Sequence, residues 1–345
     1  MLTFVKDSSA TEVVNIYSKS TRSVKPRQTV YFTHAGTSRE KGNVAPAAGV
    51  LALHKDSLKK LHKLSNASFD RICVMLDTGR EPEISGDPHR PAYWEVRAAY
   101  ERALRNEIYL GDQADLYFEH NLPRDRNTWG GTFTLIGNSG AGKTYWCVQL
   151  LMRYLRATKP HARRTVIWVS PEWDIDKSLK PLKDKRFAFN VIGVNVSQQE
   201  LKKTGMDSAS YFHTKIDELI EKHGDHAIVV LDDFMDAAGG LTPLLRKMYN
   251  NLLRTARHKG TAVVSLVHSY ASGKYTSTAI QSNKFLVFFP RSQKNRLVMF
   301  MRDHLHMSVP EAKELVQRFA KLDRYVVIRM HSPVAMYNSK YLLLL

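Results

Sequence analysis

From Thr132 onward the apolar positions of the chain fall into two alternating rhythms. TFTLIG (Thr132–Gly137), TVIWVS (Thr165–Ser170), HAIVVLDD (His226–Asp233), TAVVSLVHS (Thr261–Ser269) and KFLVFFP (Lys284–Pro290) are near-continuous apolar runs of strand length, and FAFNVIGV (Phe187–Val194) reads as another. Between them the spacing turns helical, over Lys143–Arg156 and over Ser208–Lys222, the latter closed by Gly224. Ser197–Glu200 has the S-x-x-E form in which a serine caps a helix, and Thr242 followed by Pro243 opens a helix running to about His258, with Gly260 just past its end. Strands that are apolar on both faces and separated by helices predict an α/β fold, a mostly parallel sheet covered on both sides.

The first third is patterned differently. Residues 1–45, with the polar stretch SKSTRSVKPRQ and the small-residue run HAGTSREKGNVAPAAG around their end, are expected to form a weakly ordered arm. Residues 46–126 read as a small appended region: LALHKDSLKKLHKL has helical spacing, RICVML (Arg71–Leu76) reads as a short buried strand, and YWEVRAAYERALRNEIYL (Tyr93–Leu110) as an amphipathic helix. The polar segment NLPRDRNTW (Asn121–Trp129) is a junction, so the α/β domain spans 127–345.

Charge changes this picture more than composition does. The net charge is +18, and it is unevenly placed: net +2 through Asp125 and net +16 from Arg126 onward. Such an excess draws a polyanion, because cationic side chains release the counterions condensed on nucleic-acid phosphates; solubility is the plainer reading. No apolar run approaches the length needed to span a bilayer, and MLTFVKDSS lacks the features of a signal peptide, so an intracellular location is expected. Cys73 and Cys147 are the only cysteines, too few for a disulfide framework or a thiolate zinc site.

The chemistry concentrates at GNSGAGKT, Gly137, Asn138, Ser139, Gly140, Ala141, Gly142, Lys143 and Thr144, which matches G-x-x-x-x-G-K-[ST] between a predicted strand and a predicted helix. Glycines there let backbone N–H groups turn inward around phosphates at the positive end of the helix, with Tyr145 next in line. Lys143 would reach the β- and γ-phosphates of ATP, and the Thr144 hydroxyl would ligate Mg²⁺. About 90 residues later IVVLDDFMD delivers Asp232 toward the same Mg²⁺ as a Walker-B carboxylate, with Asp233 placed to orient or deprotonate water and Asp236 beginning the next loop. His268 ends a core strand where open sheets place ligands; it is either a γ-phosphate sensor or a satisfied edge histidine. In RTARHKG, Arg257 and then Arg254 are candidates for an arginine finger reaching a neighbouring subunit, although basic residues also suit the end of a helix.

Taken in order, GNSGAGKT, VIWVSPE (Val166–Glu172), VVLDDF (Val229–Phe234), ARHKGTAVVSLVHSY (Ala256–Tyr270), AIQSNKFLVFF (Ala279–Phe289) and the closing RYVVIRMHSP and NSKYLLLL resemble the genome-packaging ATPases of double-stranded DNA viruses. Those belong to the HerA/FtsK superfamily of P-loop NTPases. The resemblance runs from about Thr132 to Leu345, and it implies a P-loop NTPase core of the additional-strand type with an appended N-terminal region. It also implies a homo-oligomeric ring, a hexamer in that family's manner, that threads double-stranded DNA into a preformed capsid at the host-cell site of virion assembly. A capsid or portal-vertex protein is then a further partner. Two departures stand out: His268 occupies the place where that family has Gln, and Gln281 the place where Arg is common. A ring helicase or plasmid-transfer motor of the same superfamily, and a non-hydrolysing nucleotide-responsive DNA-binding protein, are the competing readings.

Overall fold

The computed structural model describes residues 2–3, 11–18, 28–32, 47–51, 55–56, 59, 63–79, 81–82, 90–104, 107–110, 116–120, 122–184, 189–268 and 282–345. They gather into two compact units, one holding residues up to Phe118 together with Lys340–Leu345, the other running from Glu119 to Ser339.

In the first unit, strands β1 (Leu2–Thr3), β2 (Thr11–Ser18), β3 (Gln28–Phe32) and β5 (Leu116–Glu119) form a sheet in the order β1-β3-β2-β5, while β4 (Glu107–Tyr109) pairs antiparallel with β14 (Tyr341–Leu344). Part of the stretch expected to be an arm is therefore strand: Val13, Val14, Ile16, Tyr17 and Val30 are buried. Most of HAGTSREKGNVAPAAG and LALHKDSLKKLHKL lies outside the described residues. RICVML is not a strand but the middle of helix α1 (Asn66–Thr78). Phe69, Ile72 and Cys73 stand at helical spacing and are buried, whereas Val74 is exposed, and the ends are fixed by Ser65, which accepts from the Ser68 N–H, and by Gly79 at φ 66°. Helix α2 (Arg90–Leu104) stops before the EIY of the expected longer helix, which is β4.

The second unit carries strands β6 (Thr132–Ile136), β7 (Val166–Ser170), β8 (Val191–Asn195), β9 (Ile228–Asp232), β10 (Ala262–Val267), β11 (Phe285–Phe288), β12 (Val326–Arg329) and β13 (Ala335–Tyr337), in the order β13-β12-β11-β6-β10-β9-β7-β8. The six from β11 to β8 run parallel; β12 and β13 are antiparallel to their neighbours. This is the expected α/β class, flanked by helices α3 (Lys143–Ala157), α4 (Leu241–Thr255), α5 (Pro290–Leu305) and α6 (Val309–Leu322). Every residue of β6, β7, β9 and β11 is buried, as strands covered on both faces must be. β10 stands between β6 and β9, the additional strand of the expected core. Ser197 caps helix Gln198–Thr204 by accepting from the Glu200 N–H, as its spacing predicts. The α4 helix ends at Thr255, so Arg254 lies in its last turn and Arg257 in the turn that follows.

Candidate nucleotide-binding site

The site is built on one edge of the parallel sheet by the ends of three adjacent strands. β6 leads into Gly137, β9 ends at Asp232 and β10 is followed by His268; the register pairs Val267 with Ile136 and Leu266 with Asp232, so all three ends are level. Backbone bonds from Gly137 N–H to the Val267 carbonyl (3.1 Å) and from Asp233 N–H to the Leu266 carbonyl (3.2 Å) continue the ladder past the strands. The turn after β6 needs glycine at two places, Gly140 at φ 74° and Gly142 at φ 104°, values that other L-residues rarely adopt. Gly142 caps α3, whose free N–H groups face the space the turn encloses.

Lys143 is 6% exposed, and its ammonium donates to the Gly137 carbonyl at 3.0 Å. The same nitrogen stands 3.4 Å from His268 Nδ1 and 3.9 Å from Asp233 Oδ1. His268 Nε2 is 3.3 Å from Asp233 Oδ1 and 3.7 Å from Asp236 Oδ2. Lysine, histidine and two carboxylates thus converge at the mouth of the glycine turn. Asp236, expected to start a departing loop, instead closes a short 3₁₀ turn (Phe234–Asp236) and faces the histidine. Asp233 adopts φ 43°, left-handed backbone, which lifts its carboxylate away from the line of β9.

Asp232 is different in kind. It is 4% exposed, and its Oδ1 has no hydrogen-bond partner among the described residues. Burial first, and then the charge of Asp233, push its carboxyl up to about 7, with Lys143 pulling the other way. Its charge also adds to burial in holding the Cys147 thiol protonated; Cys147 is one turn beyond Thr144 on α3, so Asp232 and the start of that helix share a locality. A buried carboxylate oxygen lacking a donor is a ligand that suits a hard cation such as Mg²⁺, and the Thr144 hydroxyl at the start of α3 would be the second.

The remaining expected residues divide. Asn138, Ser139 and Gly140 are exposed on the turn, and Tyr145 is exposed at 64% on the outer side of α3. Arg254 and Arg257 are exposed, but they precede β10 at the opposite edge of the sheet, level with Gly131 rather than Gly137. Five residues of strand, about 17 Å, separate that edge from the glycine turn. There the loop before β6, held by the buried guanidinium of Arg164 on the Asp125, Thr128 and Gly260 carbonyls, borders a recess of about 410 Å³ lined by Arg124, Arg126, His161 and His226 together with Asp125, Asn127 and Ala162. Gln281 lies outside the described residues.

One residue of the site is unannounced by the sequence. Gln293, 5% exposed in the first turns of α5, donates from its amide to Asn138 Oδ1 (2.9 Å) and to the His268 carbonyl. Asn138 in turn donates to the Ser292 carbonyl at 3.2 Å. Phe289, at the end of β11, would lie 3.0 Å from a Cβ at Gly137, so the strand before α5 also walls the turn.

No protein-family model matches the chain, and no curated protein does. Among solved structures it is similar to the genome packaging NTPase B204 from Sulfolobus turreted icosahedral virus 2 in complex with ATP-gammaS, at 13% identity and a TM-score of 0.36 over 63% of this chain and 98% of that one. It is also similar to the cytoplasmic domain of the Thermomonospora curvata Type VII secretion ATPase EccC, at 13% identity and a TM-score of 0.39 over 62% of this chain and 26% of that one. The pCW3 conjugation coupling protein TcpA, monomer form with ATPgS, matches at 13% identity and a TM-score of 0.36 over 68% of this chain and 66% of that one. Similarity this distant assigns no family; the chemistry of the chain is read from the geometry of its own site.

Proposed function

We propose that this chain is an ATPase that drives movement along double-stranded DNA, and that its specific task is packaging viral DNA into a preformed capsid. The observation that carries the ATPase is the meeting of Lys143, His268 and Asp233 at the mouth of the glycine turn, beside the unpartnered Oδ1 of Asp232. Backbone N–H groups of the glycine turn beyond Gly137 and of the start of α3 bind the phosphates of ATP, and Lys143 exchanges its carbonyl partner for the β- and γ-phosphate oxygens. Asp232 and the Thr144 hydroxyl would hold Mg²⁺, which would supply neutralisation of phosphate charge. Asp233 orients the attacking water and accepts its proton as the water oxygen bonds to the γ-phosphorus and the bridge to ADP breaks. His268 keeps Asp233 in place and contacts the γ-phosphate. Arg257 completes the site of the adjoining copy in a ring of six.

The DNA half of the reading is supported by the net charge of +16 from Arg126 onward and by the resemblance in sequence to packaging ATPases. Among the described residues no helix is long and apolar enough to cross a membrane. Phosphate release with and without duplex DNA, alongside displacement of a third strand from an intact duplex, tests both halves. DNA-stimulated release with triplex displacement is expected. Strand separation would instead favour a helicase, and no release in assembled rings a binding protein.

A further inference from the structure

Gln293 is buried, polar and in an unusual backbone state, and the proposed hydrolysis does not use it. Its φ of −140° and ψ of 39° interrupt α5 after a single turn, so Pro290–Ser292 and the rest of the helix are separate segments joined at this residue. At the break Gln293 is held through its nitrogens, its Oε1 having no partner among the described residues. The Gln293 N–H still donates to the Phe289 carbonyl at 3.2 Å. Its side-chain NH₂ bridges Asn138 Oδ1 and the His268 carbonyl. The amide orientation is fixed by chemistry: the His268 and Ser292 carbonyls can only accept, so both Gln293 and Asn138 must turn a nitrogen toward them. Arg296, one turn further along α5, adds a bond to the His268 carbonyl at 3.4 Å. Three segments distant in sequence are thereby closed into one hydrogen-bonded loop: the glycine turn, the end of β10 and the start of α5.

We propose that Gln293 is a positioning residue for the nucleotide reaction, holding the His268 backbone and the Asn138 side chain so that the His268 ring stays between Lys143 and Asp233. This deepens the ATPase reading and rests on it. Gln293 fixes the carbonyl of the residue whose ring meets both the ammonium and the carboxylate. Without it that carbonyl keeps only the longer bond from Arg296, which loosens the ring at Asp233, and a displacement of about 1 Å in a reacting group costs up to a hundredfold in rate. Nucleotide affinity, carried by the glycine turn and Lys143, is touched only through Asn138.

Gln293→Met keeps the length and removes the donor. It should lower kcat for ATP by roughly ten- to hundredfold while affinity for a non-hydrolysable ATP analogue changes by less than about threefold. Asn138→Ala attacks the same loop from the other side, and the double variant should fall no further than the worse single one, because the two act as a unit. Hydrogen exchange read without nucleotide should show faster exchange at 291–296 and 137–139 in Gln293→Met, with the rest of α5 unchanged. Loss of affinity in proportion to kcat, full kcat in either single variant, or additive losses would overturn the proposal. Lys143→Ala separates the two levels. If wild type and Lys143→Ala bind the analogue equally, the ATPase reading fails, and the exchange measurement alone then decides whether Gln293 pins the loop.

Discussion

At the scale of single residues the site offers a clean division between binding and turnover. Lys143 is held inside the turn by the Gly137 carbonyl, where its ammonium is in place to meet phosphate, so Lys143→Ala is expected to abolish productive ATP binding in a calorimetric titration. Asp233→Asn keeps shape and tolerates the left-handed backbone at φ 43°, since asparagine, like aspartate, is among the few residues that occupy it. It removes the proton acceptor and the charge facing His268. Binding should therefore survive while phosphate release falls at least a hundredfold. Lys143, Asp232 and Asp233 were legible because a strand, a glycine turn and a second apolar strand impose their spacing locally. Gln293 was not, since its partner Asn138 is 155 residues away and its orientation depends on a helix break with no sequence signature. Asp236 was missed for a related reason: a 3₁₀ turn, rather than a loop, follows the left-handed Asp233.

At the scale of elements, the core strands were readable because burial on both faces leaves uninterrupted apolar runs. Arg71–Leu76 misled because a five-residue apolar stretch, Ile72–Leu76, has the same look in a strand and in one side of a short helix. The deciding signals, Ser65 and Gly79, lie outside it. Strand β8 shows a constraint that pattern could not reveal. A Cβ on Gly193 would overlap the Trp173 ring, so the indole lies directly on the strand, with the Lys183 ammonium 4.3 Å from its centroid on a face of the ring. Gly193→Ala must expel or tilt that indole. A loss of about 1–3 kcal/mol in urea unfolding, accompanied by a change in tryptophan fluorescence, is the expected result. Unchanged stability would mean that Trp173 moves aside freely.

At the scale of the whole molecule, buried imidazoles among cations make stability depend on pH. His120 packs on Phe285 (4.2 Å between ring centres) and His331 stands edge-on to the same ring, both in the second unit. Burial, and then the cations Lys284 and Arg329, lower both imidazoles to about 3. An unfolded histidine takes up its proton near pH 6.5, so between that pH and about 3 the unfolded chain binds protons the folded one refuses. Stability should accordingly be full above pH 6.5 and decline as acid is added through that window. In denaturant titrations at pH 7 and pH 5, His120→Phe should lessen the difference between the two. The proposed sharing of sites between copies is tested at Arg257. Its removal is expected to leave ATP binding by the single chain intact and to stop hydrolysis in the assembled ring, with mixing of Arg257→Ala and Lys143→Ala chains restoring part of the activity. Normal turnover in rings made wholly of Arg257→Ala chains would exclude it.

The opposed placement of the two edges of the parallel sheet has one more implication. The glycine turn follows β6 and the Arg257 turn precedes β10, and the two strands run side by side in the same direction. An isologous two-fold dimer presents one patch to its own image, so it serves two sites only where the glycine turn and the arginine turn, about 17 Å apart along the strand, share that patch. A heterologous contact, repeated by rotation until it closes, joins unlike edges at every step. If Arg257 acts on a neighbour, such a head-to-tail contact lets every copy give one arginine and receive another, and its closure is a cycle with a single sense of rotation.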